Sequence, residues 1–175
     1  MSGNRSTGQA FRVRAARTHD VPAIRGLIDA NVASGRLLDK PTVTLYEDIQ
    51  EFMVAEQAAD GMVVGCGALH VMWEDLAEIR TIAVAEPVQR QGAGHLIVSA
   101  LLERARAVGV SRVFVLTFAV EFFRRHGFAE ITGQAAAPDV YAELLRSYDE
   151  GVAEFLDLDR VKPNTLGNTR MLLRL

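Results

Sequence analysis

Ile79-Arg80-Thr81-Ile82-Ala83-Val84 reads as a β-strand, and it is followed by Gln89-Arg90-Gln91-Gly92-Ala93-Gly94 and then by an amphipathic stretch from His95 to Val108. A glycine-rich turn between a strand and a helix is an anion cradle. The first N–H groups of a helix have no intrahelical partner and sit at the positive end of its dipole, and glycine lets a phosphate come close with no Cβ in the way. The expected ligand is a phosphorylated cofactor. Two familiar nucleotide loops do not fit, because Ile97 stands where G-x-G-x-x-G needs its third glycine and no G-K-[ST] follows.

Outward from this centre, the elements follow in a definite order. Phe11 to Ala16 alternates apolar and basic residues like a half-buried strand, and Thr18-His19-Asp20 caps a helix carrying Val21, Ile24, Leu27 and Ile28. After Gly35, the spacing of Val43, Tyr46 and Ile49 predicts a second helix over Thr42 to Phe52. Met53 to Glu56, the Asp60-Gly61 turn, Met62 to Val71 and Ala77 to Val84 predict a three-strand meander. Beyond the long helix come a buried strand at Arg112 to Leu116, a short helix at Glu121 to His126 ended by Gly127, and a strand at Phe128 to Ile131. A helix from Pro138 to Ser147 and a final strand from Thr169 to Leu175 complete a mixed α/β (α+β) pattern with a mostly antiparallel sheet.

Composition narrows the function. With 175 residues, 49% hydrophobic and 23% charged, the chain suits one globular domain over residues 11–175 behind a loose polar tail over 1–10. A formal charge of −3 with scattered Lys and Arg argues against nucleic acid, and the lack of any apolar run of membrane length argues against a membrane partner. No signal-peptide core is present, so a cytoplasmic protein is expected, and the single Cys66 allows no internal disulfide. Four scattered histidines and one cysteine do not make a metal site.

The loop also matches Q/R-x-x-G-x-G/A, and in this the chain resembles the GNAT superfamily of acetyl-CoA-dependent N-acetyltransferases. The resemblance is broader than one loop. A-E-I-R-T-I-A-V, Q-R-Q-G-A-G, R-V-F-V-L-T and F-F-R-R-H-G-F, in that order, are similar to the acetyltransferase domain of the N-acetylglutamate synthases, and the tail from Gly151 to Leu173 to their short stand-alone form. The resemblance implies a GNAT fold and acetyl transfer to the α-amine of L-glutamate, the first step of arginine biosynthesis. It implies a direct ternary-complex mechanism with acetyl-CoA as cosubstrate, since neither Cys66 nor any serine has activating neighbours. The longer synthases carry a further amino-acid-kinase-like domain with arginine feedback, for which 175 residues leave no room. Related readings are a GNAT acting on glutamine, another amino acid, a polyamine or a protein N-terminus, and a non-catalytic acyl-CoA sensor. A homodimer paired through sheet edges is the expected assembly.

The chemistry needs a base, oxyanion donors and a route to reprotonate the thiolate. Glu78, near the start of the strand that feeds the loop, is the base that the resemblance implies, with an ion pair to Arg80 as the alternative role for its carboxylate. If Val71 to Ala77 is a symmetric hairpin loop, His70 faces Glu78 across two strands and can share its proton. The cofactor is expected on Gln89, Arg90, Gln91, Gly92, Ala93, Gly94 and His95, and the resemblance adds the main-chain N–H groups of Ile82 and Val84. Where many GNAT enzymes place a tyrosine, this chain has Phe123, read as core packing, so water or a group such as Tyr148 serves the thiolate, or the thiolate leaves unassisted. A glutamate acceptor calls for cations, and Lys40, Arg80 and Arg170 are candidates, with Asn168 and Thr169 beside them.

Overall fold

The computed structural model describes residues 10–158 and 167–175. Residues 1–9 of the expected tail, and residues 159–166, lie outside the described residues. Seven strands form one sheet in the order β1-β2-β3-β4-β5-β7-β6. They are β1 (Phe11–Ala15), β2 (Phe52–Gln57), β3 (Val63–Trp73), β4 (Leu76–Val84), β5 (Arg112–Thr117), β6 (Ala129–Glu130) and β7 (Thr169–Arg174). Every pairing is antiparallel save β4 with β5. This is the mixed, mostly antiparallel α/β architecture that the sequence predicts.

Helices cover both faces. On one side α3 (Ala93–Val108) lays Ile97, Val98, Leu101 and Ala105 against Ala77, Ile79, Val113 and Val115 of the central strands. On the other, α1 (Val21–Val32) packs Val21, Ile24 and Ile28 over Phe52, Val54, Cys66 and Ala68. Further along that face, Leu144 of α5 (Pro138–Leu144) and Val152 and Phe155 of α6 (Glu150–Phe155) close over Leu76 and Phe114. Close approach of α3 to the sheet requires Gly67, where an added Cβ would stand 2.4 Å from Ile82 Cδ1 and 2.8 Å from Ile97 Cγ2.

Two features of β4 shape the centre of the molecule. Its parallel pairing with β5 lasts only from Leu76–Arg112 to Glu78–Phe114, after which the strands part and leave a cleft. A bulge then sets Thr81 and Ile82 opposite Gly67 alone, since Arg80 pairs with Ala68 and Ala83 with Cys66. Thr81 carries it at φ +59°, a strained value for a β-branched residue. The bulge breaks the two-residue alternation, so Ile79 and Ile82, three apart, both face α3.

The second predicted helix is shorter than its spacing suggested. α2 (Thr42–Glu47) ends before a 3-10 turn at Ile49–Glu51, and Phe52 already belongs to β2. The buried face differs from the one the spacing marks: Val43 and Tyr46 are exposed, whereas Leu45 is buried and Ile49 packs partly against the same core. Phe52 is drawn into the sheet because pairing with Ala68 buries its ring against α1. α3 begins at Ala93, two residues earlier than expected, and α4 (Val120–Arg124) is a single short turn.

Candidate active site

The cradle is built by backbone conformation. Arg90 and Gly92 both have positive φ, +63° and +99°, and Gly92 caps α3 in the left-handed region that glycine adopts without strain. Gln89 and Gln91 brace the turn by donating side-chain hydrogen bonds to the carbonyls of Val84 and Pro87, each at 3.1 Å. Leu96 is the first residue of the helix to bond back, its N–H to the Gly92 carbonyl at 3.1 Å. The amides of Ala93, Gly94 and His95 have no partner among the described residues, as a helix N-terminus awaiting an anion requires. Gly94 and His95 border a cleft of about 680 Å³, lined also by Ile82, Val84, Gln89, Arg90 and Gly92. Gln91 and Ala93 stand in the same turn without lining the cleft, Gln91 bracing it and Ala93 buried under it. The unpartnered amides and glycine cradle fit the diphosphate of coenzyme A.

The cleft continues between the parted strands toward Glu78. The N–H of Ala85 bonds to Val64 of β3 at 2.8 Å, so alternation turns the main-chain N–H of Val84 the other way, toward the cleft that Ile82 and Val84 both line. A narrower cavity, lined by Arg80, Thr81, Ile82, Leu116, Thr117 and Phe122 among others, joins the cofactor cleft to a pocket lined by Lys40, Glu78, Arg80, Glu150, Glu154 and Asn168.

Electrostatics of this pocket centre on Arg80. Its side chain is 8% exposed, and Nη1 donates to Asp149 Oδ1 at 2.5 Å. Nε and Nη2, which form the side-on fork that takes a carboxylate, are buried with no partner among the described residues. Burial opposes its charge, yet Glu78 and Asp149 outweigh this and raise its pKa. Glu78 is 2% exposed, and its Oε2 is likewise unpartnered. Burial pushes the Glu78 carboxyl up to about 7 against the pull of the Arg80 charge. Burial also works to raise Asp149, but the charge and hydrogen bond of Arg80, with the Val152 N–H, hold it at about 2.

Most of the expected residues come together, and some do not. His70 pairs with Glu78 in register, but its Nδ1 is bonded to Glu51 Oε1 at 2.7 Å, so its orientation is set by Glu51. Glu78 lies near the start of β4 but is buried, and the partner of Arg80 at hydrogen-bond distance is Asp149. Lys40 lines the pocket with Nζ 4.0 Å from Asp48, and Asn168 lines both inner cavities. Arg170 stands apart from these linings. It lies over the Phe114 and Phe155 rings at 4.9 and 5.5 Å and bonds to the Gly133 carbonyl and Gln134 Oε1. Thr169 is committed to strand pairing with Thr117. Tyr148 is 99% exposed, pointing to solvent, and Phe123 is buried against Phe122 and Phe128 as a core residue. Burial pushes the Cys66 thiol up to about 12, which leaves it inert as a nucleophile.

Sequence reasoning missed Asp149, Gly151 and Glu154. Gly151 and Glu154 belong to α6, and Asp149 caps it, accepting from the Val152 N–H at 2.9 Å. The signal was present: an Asp cap ahead of Val152 and Phe155 at helical spacing. What the sequence does not show is that the first turn of α6 presses on Arg80, with an added Cβ on Gly151 falling 1.9 Å from Nη1.

A diphosphate cradle, a cleft between parted strands and a buried carboxylate at its far end define an acyl-CoA-dependent N-acyltransferase. The chain belongs to the acetyltransferase (GNAT) family, whose model matches residues 31–128. It is 60% identical over 162 residues to an amino-acid acetyltransferase of Mycobacterium tuberculosis, covering 92% of each chain. A M. tuberculosis crystal structure in complex with CoA, 59% identical, superposes with a TM-score of 0.91 over 94% of this chain and 99% of that one. The N-acetylglutamate synthase of Neisseria gonorrhoeae, solved with coenzyme A and N-acetyl-glutamate, is 26% identical with a TM-score of 0.74, over 94% of this chain and 35% of that longer one. Among the described residues no group of His, Cys, Asp and Glu is placed to hold a metal, and no helix is long and apolar enough to cross a membrane.

Proposed function

We propose that this protein transfers the acetyl group of acetyl-CoA to the α-amine of L-glutamate, the first step of arginine biosynthesis. The observation that carries the reading is buried Arg80, whose Nε and Nη2 have no partner among the described residues, beside the buried carboxylate of Glu78 at the inner end of the cofactor cleft. The fork takes a carboxylate of the amino acid, and Lys40 supplies a second positive charge for the other. Seated there, the amine lies next to the thioester that the glycine loop delivers, and Glu78, ionised above about pH 7, is placed to take its proton. Ile82 and Val84 line the cleft, and their main-chain N–H groups are the donors for acyl carbonyl and pantetheine. Phe123 is core packing, so the departing thiolate takes its proton from water or by way of Glu78. His70, held by Glu51, tunes Glu78 across the strand pair.

The names of the relatives support the amino-acid acceptor, and a cytoplasmic, homodimeric enzyme completes the reading. The test is an acceptor screen with purified protein and acetyl-CoA, followed by thiol release. Glutamate as a good acceptor, with turnover lost in Glu78→Gln, supports the assignment. Turnover on a polyamine or protein N-terminus with none on glutamate overturns the acceptor, and CoA binding without turnover on any amine overturns the enzyme.

A further inference from the structure

α6 brings a second carboxylate to the acceptor pocket. Glu154 lines the same cavity as Glu78, Arg80 and Lys40. Glu150, Gly151 and Glu154, three and four apart, share the face of α6 that meets this pocket. The two carboxylates differ in access. Glu78 is closed off, with Oε2 unpartnered among the described residues, whereas Glu154 is half-buried and reaches solvent. The charge of Glu154 also helps to raise the Glu78 carboxyl. Glu154 itself is pushed up to about 7 by burial, against the pull of Arg80 and Lys40. The charged groups lining the pocket around it are Glu78 and Arg80 of β4, Arg36, Asp39 and Lys40 of the segment between α1 and α2, and Glu150 of its own helix.

An amino acid arrives as an ammonium and must lose two protons before an amide stands in its place. A proton placed first on Glu78 would leave that carboxyl neutral when the adduct needs a base. Building on the acetyl transfer proposed above, we infer that Glu154 receives the acceptor's ammonium group and takes its first proton, leaving Glu78 to take the second. The freed amine attacks the thioester carbonyl, forming the C–N bond. The adduct nitrogen gives its proton to Glu78, and the C–S bond breaks with its electron pair going to sulfur. Glu78 returns its proton, through water, to the thiolate, and Glu154 discharges to solvent. The balance is one amide, one CoA thiol and one released proton for each ammonium consumed.

The test is a pH series of glutamate saturation curves, read by thiol release, for wild type, Glu154→Gln, Glu154→Asp and Glu78→Gln. Calorimetric acetyl-CoA binding serves as the check that each variant folds. At neutral pH Glu154→Gln should lose about 10- to 100-fold in kcat/KM for glutamate, the scale of one charge-assisted contact. That deficit should shrink as pH rises through the pKa of the amine, because a neutral acceptor no longer needs the first base. Glu154→Asp should fall between wild type and Glu154→Gln, and the Glu78→Gln deficit should persist at every pH. A Glu154→Gln deficit that is absent, or the same at all pH values, overturns the role. If wild type rejects glutamate and accepts another amine, the glutamate reading fails alone, and the same series on that amine decides the role of Glu154.

Discussion

Gly151→Ala probes how α6 and Arg80 share space. A Cβ at this position would stand 1.9 Å from Arg80 Nη1 and 3.0 Å from its Cζ. The guanidinium must retreat by roughly 1 Å or more to restore ordinary van der Waals contact, which breaks the hydrogen bond to Asp149, now 2.5 Å long. Losing a charge-assisted hydrogen bond costs about 1.5–3 kcal/mol. Alanine in place of glycine within a helix returns about 1 kcal/mol, so the net loss is roughly 0.5–2 kcal/mol, a drop of about 1–8 °C in Tm for a chain of this size. The kinetic effect is larger. Moving the carboxylate fork by roughly 1 Å should raise the KM for the acceptor about 10-fold or more, with the KM for acetyl-CoA unchanged because the glycine loop is untouched. Thermal melts and two-substrate steady-state kinetics read both quantities. A variant that melts at or above the wild-type temperature with an unaltered acceptor KM would refute the contact.

Glu78→Gln should cut kcat by about 10²–10⁴ and yet stabilise the fold at alkaline pH. The folded Glu78 carboxyl is raised to about 7 from its ordinary 4.5, so its contribution to stability is full below the unfolded pKa and is lost as pH climbs through the folded one. By denaturant unfolding the variant should exceed wild type by on the order of 2–3 kcal/mol near pH 8 and match it near pH 4. Gly92→Ala places a side chain at φ +99°, for a strain of about 1–2 kcal/mol, and should raise the acetyl-CoA KM more than the glutamate KM in the same kinetic assay. Gly67→Ala drives a methyl toward Ile82, Ile97 and Leu101 and should destabilise by about 1–3 kcal/mol in urea, with both KM values moving little per folded molecule.

The local signals of the sequence carried the fold a long way. Strand, glycine turn and helix are contiguous from Ile79 to Val108, so their order and the cradle are readable from spacing alone. The register of His70 with Glu78 is as expected, but not for the reason given by a symmetric loop over Val71 to Ala77: the strands run on to Trp73 and Leu76, with a register shift between Val71 and Trp73. The bulge at Thr81 was not readable, because a β-branched residue at positive φ violates its own propensity and is imposed by the surrounding sheet. Nor was the end of α2: the pull of Phe52 into the sheet is a tertiary effect that outweighs helical spacing. The acceptor pocket joins β4 to α6 across 69 residues at the Arg80–Asp149 pair, and spacing within a segment says nothing of contacts between segments. Arg170 illustrates the same point, since a cation close in sequence to the pocket is spent on two aromatic rings.

The most direct test of the account is a crystal structure of this protein with acetyl-CoA. It should place the diphosphate on the amides of Gly92 to His95 and the acetyl carbon between β4 and β5, within reach of an amine held by Arg80. A coenzyme bound elsewhere, or one whose thioester ends on the far side of the sheet from Glu78, would contradict it.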